Sequence, residues 1–284
     1  MVKKIIQRLF IFFFGLPLII LLVVFLPDLN HLALNIFIII FSILGALEFR
    51  DILRRKNLVI SAWETVLLGA ISPLAMTLMV SFEVNDQAIP ATFILGASWL
   101  LVSRVFLPAD KLGDYVSRTA AGFSVMIYPG LFLAWIIRMS LKAHSSVIIL
   151  AFLFMVFVND SVAWAAGMVL GKGNRGIVPA SPNKSIAGFA GGLAASAIVG
   201  WAAGYWFPEV FRSSRAPSLL CAGILGFFTG LAASLGDLGE SALKRSAGVK
   251  DSGYLIPGRG GVLDSLDSLS LAAPVYYVVY LFFF

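Results

Sequence analysis

The chain has 284 residues, of which 60% are hydrophobic and only 13% are charged, and its mean hydropathy is +0.94. This balance excludes an ordinary soluble domain. Apolar runs of about 17–25 residues recur, each long enough to cross ~30 Å of hydrocarbon as a helix. A membrane surface explains the net charge of +6 without nucleic acid, because basic residues favour the anionic leaflet. We therefore predict an all-α polytopic membrane protein.

Nine apolar segments are predicted to span the membrane in chain order. They cover residues 8–27, 31–48, 62–82, 88–108, 119–137, 146–170, 186–207, 218–236 and 267–284. The first segment is too long for a secretory signal, and no small-residue cleavage site follows it. It is therefore predicted to be a transmembrane helix.

The basic residues predict the orientation of these spans. With a cytoplasmic N-terminus and an outside C-terminus, all but four basic residues face the cytoplasm. The exceptions are Arg138, Lys142, Arg212 and Arg215. This asymmetry follows the positive-inside rule and predicts a multi-pass protein of the inner, cytoplasmic membrane.

The chain is predicted to form a single membrane-embedded domain. Its longest polar stretch, 237–266, is too short and too rich in glycine to bury a core of its own. Residues 1–137 have the generic pattern of membrane helices. Residues 138–284 carry the polar motifs, and three of these are candidates for chemistry.

The first motif is Asn159-Asp160, which interrupts a strongly apolar run. A carboxylate inside a span is costly and usually faces a polar cavity or a partner. Asp160 is therefore a candidate site residue. A structural hydrogen bond to a neighbouring helix is the alternative.

The second motif is the stretch "VPASPNKSIAGFAGG", residues 178–192. Ser181 and Pro182 end one element, and Ser185 is placed to cap a helix that begins near Ile186. Lys184 would then lie beside the positive end of that helix, an arrangement suited to phosphate. A capped loop with an ordinary cytoplasmic lysine is the simpler reading.

The third motif covers residues 237–267. If residues 237–245 are helical, four polar side chains share one face: Asp237, Glu240, Ser241 and Lys244. Asp264 and Asp267 lie three residues apart at the start of the last helix. Carboxylates converging from two helices are oxygen ligands that Mg²⁺ accepts, with substrate phosphates completing its coordination shell.

Four basic side chains of this motif are available to neutralise phosphates: Lys244, Arg245, Lys250 and Arg259. The glycines of "PGRGG" allow the backbone to approach a ligand closely. A solvated loop followed by acidic residues at a helix start is the alternative reading. The residues favour metal-assisted phosphoryl or nucleotidyl transfer at the membrane surface.

The segment "SALKRSAGVKDSGYLIPGRGGVLDSLD", residues 241–267, closely resembles the signature of phosphatidate cytidylyltransferases, also called CDP-diacylglycerol synthases. That signature reads S-x-x-K-R-x4-K-D-x-G-x2-[LIF]-P-G-H-G-G-x2-D-R-x-D. "GDLGES", "SPNKS" and "NDSVAWAAGMVLGK" also resemble blocks of the family, in the family's order. The resemblance to the family is specific in the C-terminal half, whereas the N-terminal half matches only as generic membrane helices.

The resemblance implies that CTP and phosphatidic acid, a membrane lipid, react to CDP-diacylglycerol and pyrophosphate. It implies Mg²⁺ as cofactor, with room for a second monovalent or divalent cation. The implied metal ligands are Asp237, Asp264, Glu240 and Asp267, and the implied catalytic residues are Asp237, Asp264 and Lys250. The implied substrate-binding residues are Ser181, Lys184, Lys244, Arg245, Arg259, Asp160 and Asp251.

Three positions depart from the family pattern. Arg259 stands where the family has histidine, Ser265 where it has arginine, and Ala187 where it has glutamate. We hypothesise that Arg259 restores the cation that is missing at position 265.

Other functions stay open at this point. A polyprenol kinase-like enzyme would also use CTP at a membrane, and the three departures fit a diverged inactive relative. A transporter would explain the spans and Asp160, but not the charged cluster beside a glycine-rich loop. The small-residue run "GFAGGLAAS" permits close helix packing within one chain or in a homodimer.

Overall fold

A computed structural model describes Gly15, residues 17–256 and residues 258–284. Nine α-helices follow in chain order: α1 Asp28–Arg54, α2 Ala62–Phe82, α3 Ala88–Ser103, α4 Tyr115–Val125, α5 Phe132–Met139, α6 Ser145–Val169, α7 Ile186–Trp206, α8 Ser218–Ser246 and α9 Leu263–Phe283. Shorter π-helical and 3₁₀ segments cover Leu21–Phe25, Met126–Leu131 and Ala109–Asp114. This part of the chain contains isolated β-bridges but no strand, so the all-α prediction is confirmed.

Seven helical segments of the described residues are long and apolar enough to cross a bilayer. They are α1, α2, the composite segment Ala109–Met139, α6, α7, α8 and α9. Helix α3 is apolar but has only 16 residues, fewer than the ~20 that a perpendicular span needs. The chain is a multi-pass membrane protein. Residues 8–14 and 16 of the first predicted span, 8–27, lie outside the described residues, so the number nine and the orientation stay predictions.

The predicted spans agree best with the observed helices where the apolar run and the helix share the same boundary. The predicted span 62–82 coincides with α2, and α7 begins at the predicted Ile186. Helix α8 instead continues ten residues beyond the predicted end at 236. Hydropathy marks where the lipid-facing surface ends, whereas the helix continues through polar residues that still satisfy their backbone hydrogen bonds.

The described residues form two compact units. The first unit contains the described residues up to Leu141 together with Ala247–Leu266. In this unit the Ser42 hydroxyl of α1 is shared between two acceptors, since its oxygen lies 2.7 Å from the Gly69 carbonyl oxygen and 2.5 Å from that of Pro129. This hydroxyl therefore ties α1 to α2 and to the π-helical turn.

The second unit contains Lys142–Ser246 and Asp267–Phe284. Helices α6, α7 and α8 pack closely in it because glycines leave room for neighbouring backbone; a Cβ at Gly192 would lie 2.9 Å from the carbonyl oxygen of Asn159. The buried hydroxyl of Tyr276 donates to the Ile148 carbonyl oxygen at 3.0 Å, which fixes α9 against α6. Lipid tails are as apolar as the helix surfaces, so no hydrophobic driving force brings helices together within a bilayer. Close packing at small residues and hydrogen bonds from buried hydroxyl groups hold these helices together instead.

Candidate active site

A cavity of about 370 Å³ lies in the second unit beside α6, α7 and α8. Its polar lining includes Asn159, Asp160, Arg175, Lys184, Ser234 and Asp237. Trp164, Met168 and Phe189 add an apolar wall. The volume and the mixture of apolar walls with a few polar groups are typical of a small-molecule site.

Asn159 and Asp160 enter this cavity from the middle of α6. The buried Asn159 amide donates to the Asp160 carboxylate at 3.1 Å and to the Ser234 hydroxyl of α8 at 3.2 Å. The amide thereby orients Asp160 and joins α6 to α8. Asp160 lines this cavity, and its role as a site residue stays a prediction.

A short antiparallel bridge positions Lys184 before α7. Arg175 pairs with Ser185, and the Gly176 N–H donates to the Lys184 carbonyl oxygen at 3.3 Å. The Ser185 hydroxyl accepts from the Gly188 N–H at 3.1 Å, so the predicted N-cap is confirmed. Capping this terminus fixes the residue before it, and Lys184 is held at the cavity wall.

The Nζ atom of Lys184 donates to Oδ2 of Asp237 at 2.6 Å. The Asp237 carboxylate also accepts from the Ser241 hydroxyl at 3.4 Å, one turn further along α8. Residues 237–246 are helical, as the predicted shared face requires. A cation and a carboxylate from separate sequence motifs therefore meet at one cavity.

A third carboxylate, Asp267 of α9, interacts electrostatically with Asp160, Asp237 and Lys244. The described residues contain no preformed group of three or more metal-ligating side chains. The donor chemistry nevertheless fits Mg²⁺, which is commonly bound by one or two carboxylates while substrate phosphates supply further oxygens. The four-residue metal set stays a prediction.

Glu240 and Lys244 form an ion pair within α8. The Glu240 side chain is fully buried and that of Lys244 is only 12% exposed. A buried charge is tolerated beside its partner, and removing one partner of such a pair is strongly destabilising. Both residues thus have a structural contact besides their predicted roles.

Asp264 belongs to the first unit, whereas Asp237, Glu240 and Asp267 belong to the second. Oδ2 of Asp264 accepts three hydrogen bonds: from the Gly261 N–H at 2.7 Å, and from the Ser252 N–H and hydroxyl at 2.9 Å each. These bonds close the loop before α9 and place Asp264 in the first turn of the helix. A carboxylate is favourable there because it faces the unsatisfied N–H groups.

The other predicted site residues lie outside the cavity lining. Lys250, Asp251 and Arg259 are exposed on the loop of the first unit, and Arg245 is exposed near the end of α8. Ser181 begins a tight turn, in which the Lys184 N–H donates to the Ser181 carbonyl oxygen at 3.1 Å. Ser181 therefore positions Lys184.

Sequence reasoning missed three residues that shape these sites. Arg175 lines the cavity and donates to the Gly167 carbonyl oxygen at 2.9 Å, but the positive-inside rule already explained a basic residue in a loop predicted to be cytoplasmic. Glu48 and Ser252 bond each other at 2.9 Å across more than 200 positions. A glutamate at the end of the span 31–48 was the available signal for Glu48.

Comparison with known proteins agrees with the motifs. The model of the Cytidylyltransferase family matches residues 6–283. A phosphatidate cytidylyltransferase of Thermotoga maritima is 34% identical over 226 residues, which cover 76% of each chain. The phosphatidate cytidylyltransferase of Haemophilus influenzae is 30% identical, and the match covers 85% of this chain and 87% of that protein. The phosphatidate cytidylyltransferase of Synechocystis is 31% identical, and the match covers 84% of this chain and 85% of that protein. The resemblance noted in the C-terminal motifs is confirmed, and the chain belongs to the cytidylyltransferase family.

Proposed function

We propose that the protein is a phosphatidate cytidylyltransferase, a nucleotidyltransferase that makes CDP-diacylglycerol for phospholipid synthesis. The observation that carries the proposal is the Lys184–Asp237 pair beside Asp160 in a cavity between membrane helices. Family membership supports the same reaction. Membership of this family does not favour the alternatives, namely a transporter, a polyprenol kinase-like enzyme or an inactive relative.

In this reaction an oxygen of the phosphatidate phosphate attacks the α-phosphorus of CTP. The bond from the α-phosphorus to the oxygen bridging to the β-phosphorus breaks, and pyrophosphate leaves. Lys184 holds a phosphate beside the N-terminus of α7, where the helix dipole also favours negative charge. Lys244, Arg245, Lys250 and Arg259 supply further cations for the two substrates.

Asp237 and Asp264 are the proposed principal metal ligands, with Glu240 and Asp267 as further members of the set. Bound Mg²⁺, with or without a second cation, would offset the negative charge that develops on the phosphates. Asp160 lines the cavity together with Lys184, and Asp267 interacts electrostatically with Asp160 and Asp237.

The proposed location is the cytoplasmic membrane, with the site at the cytoplasmic face. The positive-inside bias supports this orientation, and CTP is a cytosolic nucleotide while phosphatidate is a lipid of the bilayer. The proposed partners are these two substrates, with no nucleic acid. The homodimer stays a prediction from the small-residue run.

The test is to incubate the purified protein with Mg²⁺, phosphatidic acid and CTP labelled in either the α- or the γ-phosphate. Lipid labelled from the α-phosphate is expected. Label from the γ-phosphate alone would indicate a kinase, and no labelled lipid would contradict the proposal. The Asp264→Asn protein is the control for contaminating activity, and we expect it to be folded and inactive.

A further inference from the structure

Glu48 of α1 contacts the loop that precedes α9. Its side chain is buried, and Oε1 accepts from the Val262 N–H at 2.9 Å while Oε2 accepts from the Leu263 N–H at 2.8 Å. Oε2 also accepts from the Ser252 hydroxyl at 2.9 Å. A glutamate from the N-terminal helices thus satisfies backbone donors at the start of α9.

Ser252 connects Glu48 to Asp264. Its hydroxyl oxygen lies 2.9 Å from both Oε2 of Glu48 and Oδ2 of Asp264. A hydroxyl has one hydrogen to donate, so the two carboxylates share this donor. Moving either carboxylate therefore changes the hydrogen bonding of the other.

The loop backbone leaves no spare room around the Glu48 carboxylate. A Cβ at Gly253 would overlap Oε1 of Glu48, and a Cβ at Gly261 would overlap Oε2 of Glu48 and the Ser252 hydroxyl. These glycines let the chain close directly on the carboxylate. The fit is specific for a side chain that accepts bonds and donates none.

Local residues are the usual way to cap a helix. Here a carboxylate from another helix binds the Val262 and Leu263 N–H groups, and Asp264 binds the chain one residue earlier, at Gly261. The position of Asp264 therefore depends on an anchor more than 200 residues away in sequence. Burying that anchor is costly in a membrane helix, which argues for a function beyond capping.

We propose that Glu48 is a positioning residue of the transfer reaction, holding residues 252–264 so that Asp264 is correctly placed. The inference rests on the proposed function for its catalytic consequence only. Glu48 itself contacts no substrate in this proposal. It acts through Ser252 and the backbone of Gly261–Leu263.

The structural part is tested by limited trypsin digestion of the detergent-solubilised protein without CTP or lipid. Arg259 is exposed inside the anchored loop, and Lys172 is exposed in the second unit as an internal reference. Glu48→Gln keeps the side-chain shape but turns an NH₂ group toward a backbone donor. We expect cleavage after Arg259 to become about tenfold faster relative to cleavage after Lys172.

Glu64→Gln is the matched control, because Glu64 is also buried in the first unit but pairs with Arg104 at 2.7 Å. It is expected to leave the cleavage ratio unchanged. Equal acceleration in both variants would show general loosening and overturn the proposal. So would an unchanged ratio in Glu48→Gln. Should Glu48→Gln fail to fold, Ser252→Ala carries the same test, with a smaller rise expected.

The catalytic part is measured on the same preparations. Glu48→Gln should lower kcat about 10- to 100-fold, with a smaller change in KM for CTP. The double variant with Ser252→Ala should resemble Glu48→Gln alone, since both act through one loop. Faster cleavage with normal kcat would overturn the positioning role. A wild-type protein without transferase activity would contradict the proposed function and leave the cleavage result standing.

Discussion

The Nζ atom of Lys184 lies 2.6 Å from Oδ2 of Asp237, and this ion pair joins the turn before α7 to the C-terminal part of α8. Their side chains are 26% and 33% exposed. An ion pair this accessible can exchange partners, because solvent and incoming ions screen the attraction. In the proposed reaction a substrate phosphate would therefore engage Lys184 and release Asp237 for a cation. In the proposed reaction, this exchange would couple phosphate binding by Lys184 to cation binding by Asp237.

Lys184→Gln is expected to reduce kcat/KM for CTP by about 10- to 100-fold. The variant loses a charge-assisted hydrogen bond, a contribution of roughly 1.5–3 kcal/mol. Steady-state kinetics with varied CTP measure the effect. Lys172→Gln removes an exposed charge from the same segment and should stay close to wild type. Equal losses in both variants would mean that only the overall charge matters.

The pair also predicts non-additive kinetics. Asp237→Asn alone should abolish most turnover, and adding Lys184→Gln should cause little further loss, because the partners act as a unit. The double-mutant cycle measures this coupling. Fully additive losses would contradict a shared role.

Arg259 and Ser265 provide a rescue experiment. Arg259 is exposed, and the Ser265 hydroxyl makes only a long 3.5 Å contact to the Gly261 carbonyl oxygen. If Arg259 replaces the cation missing at position 265, Arg259→Ala should lose activity and Arg259→Ala/Ser265→Arg should regain it. Transfer of α-phosphate label to lipid measures both variants. An inactive double variant with normal stability would contradict the compensation.

The sequence predicted what depends on local pattern. Long apolar runs specify membrane helices, so α2 and the start of α7 were correct to the residue. Ser185 caps its helix as its position indicated, since capping involves neighbours in the chain. The charged face of α8 followed from helical periodicity.

Long-range contacts were beyond the same reasoning. Nothing in the residues around Glu48 shows that Val262 and Leu263 will donate to it, because that contact depends on tertiary packing. The Lys184–Asp237 bond likewise joins positions 53 residues apart. Both residues of that pair were identified as site candidates, but their contact was not.

The buried Glu240–Lys244 pair predicts a stability effect. Lys244→Met keeps most of the side-chain volume and removes the cation beside a fully buried carboxylate. Breaking a buried pair from one side costs about 3 kcal/mol or more, so the thermal midpoint in detergent should fall clearly. Arg245→Met, at the exposed neighbouring position, should change the free energy of unfolding by about 0.5 kcal/mol or less. Similar midpoints for both variants would contradict the structural role of the pair.

Two glycines of α8 test whether close helix contact stabilises the second unit. A Cβ at Gly226 would overlap the carbonyl oxygen of Ser196 in α7, whereas a Cβ at Gly239 would meet nothing within 4 Å. Gly226→Ala should therefore destabilise the protein by about 1–3 kcal/mol, as overpacking does. Gly239→Ala should be neutral or stabilising by up to ~1 kcal/mol, because alanine has the higher helix propensity. Thermal unfolding of both variants in one detergent is the measurement. If alanine at position 226 were as well tolerated as at 239, backbone contact between α7 and α8 would not be what holds these helices together.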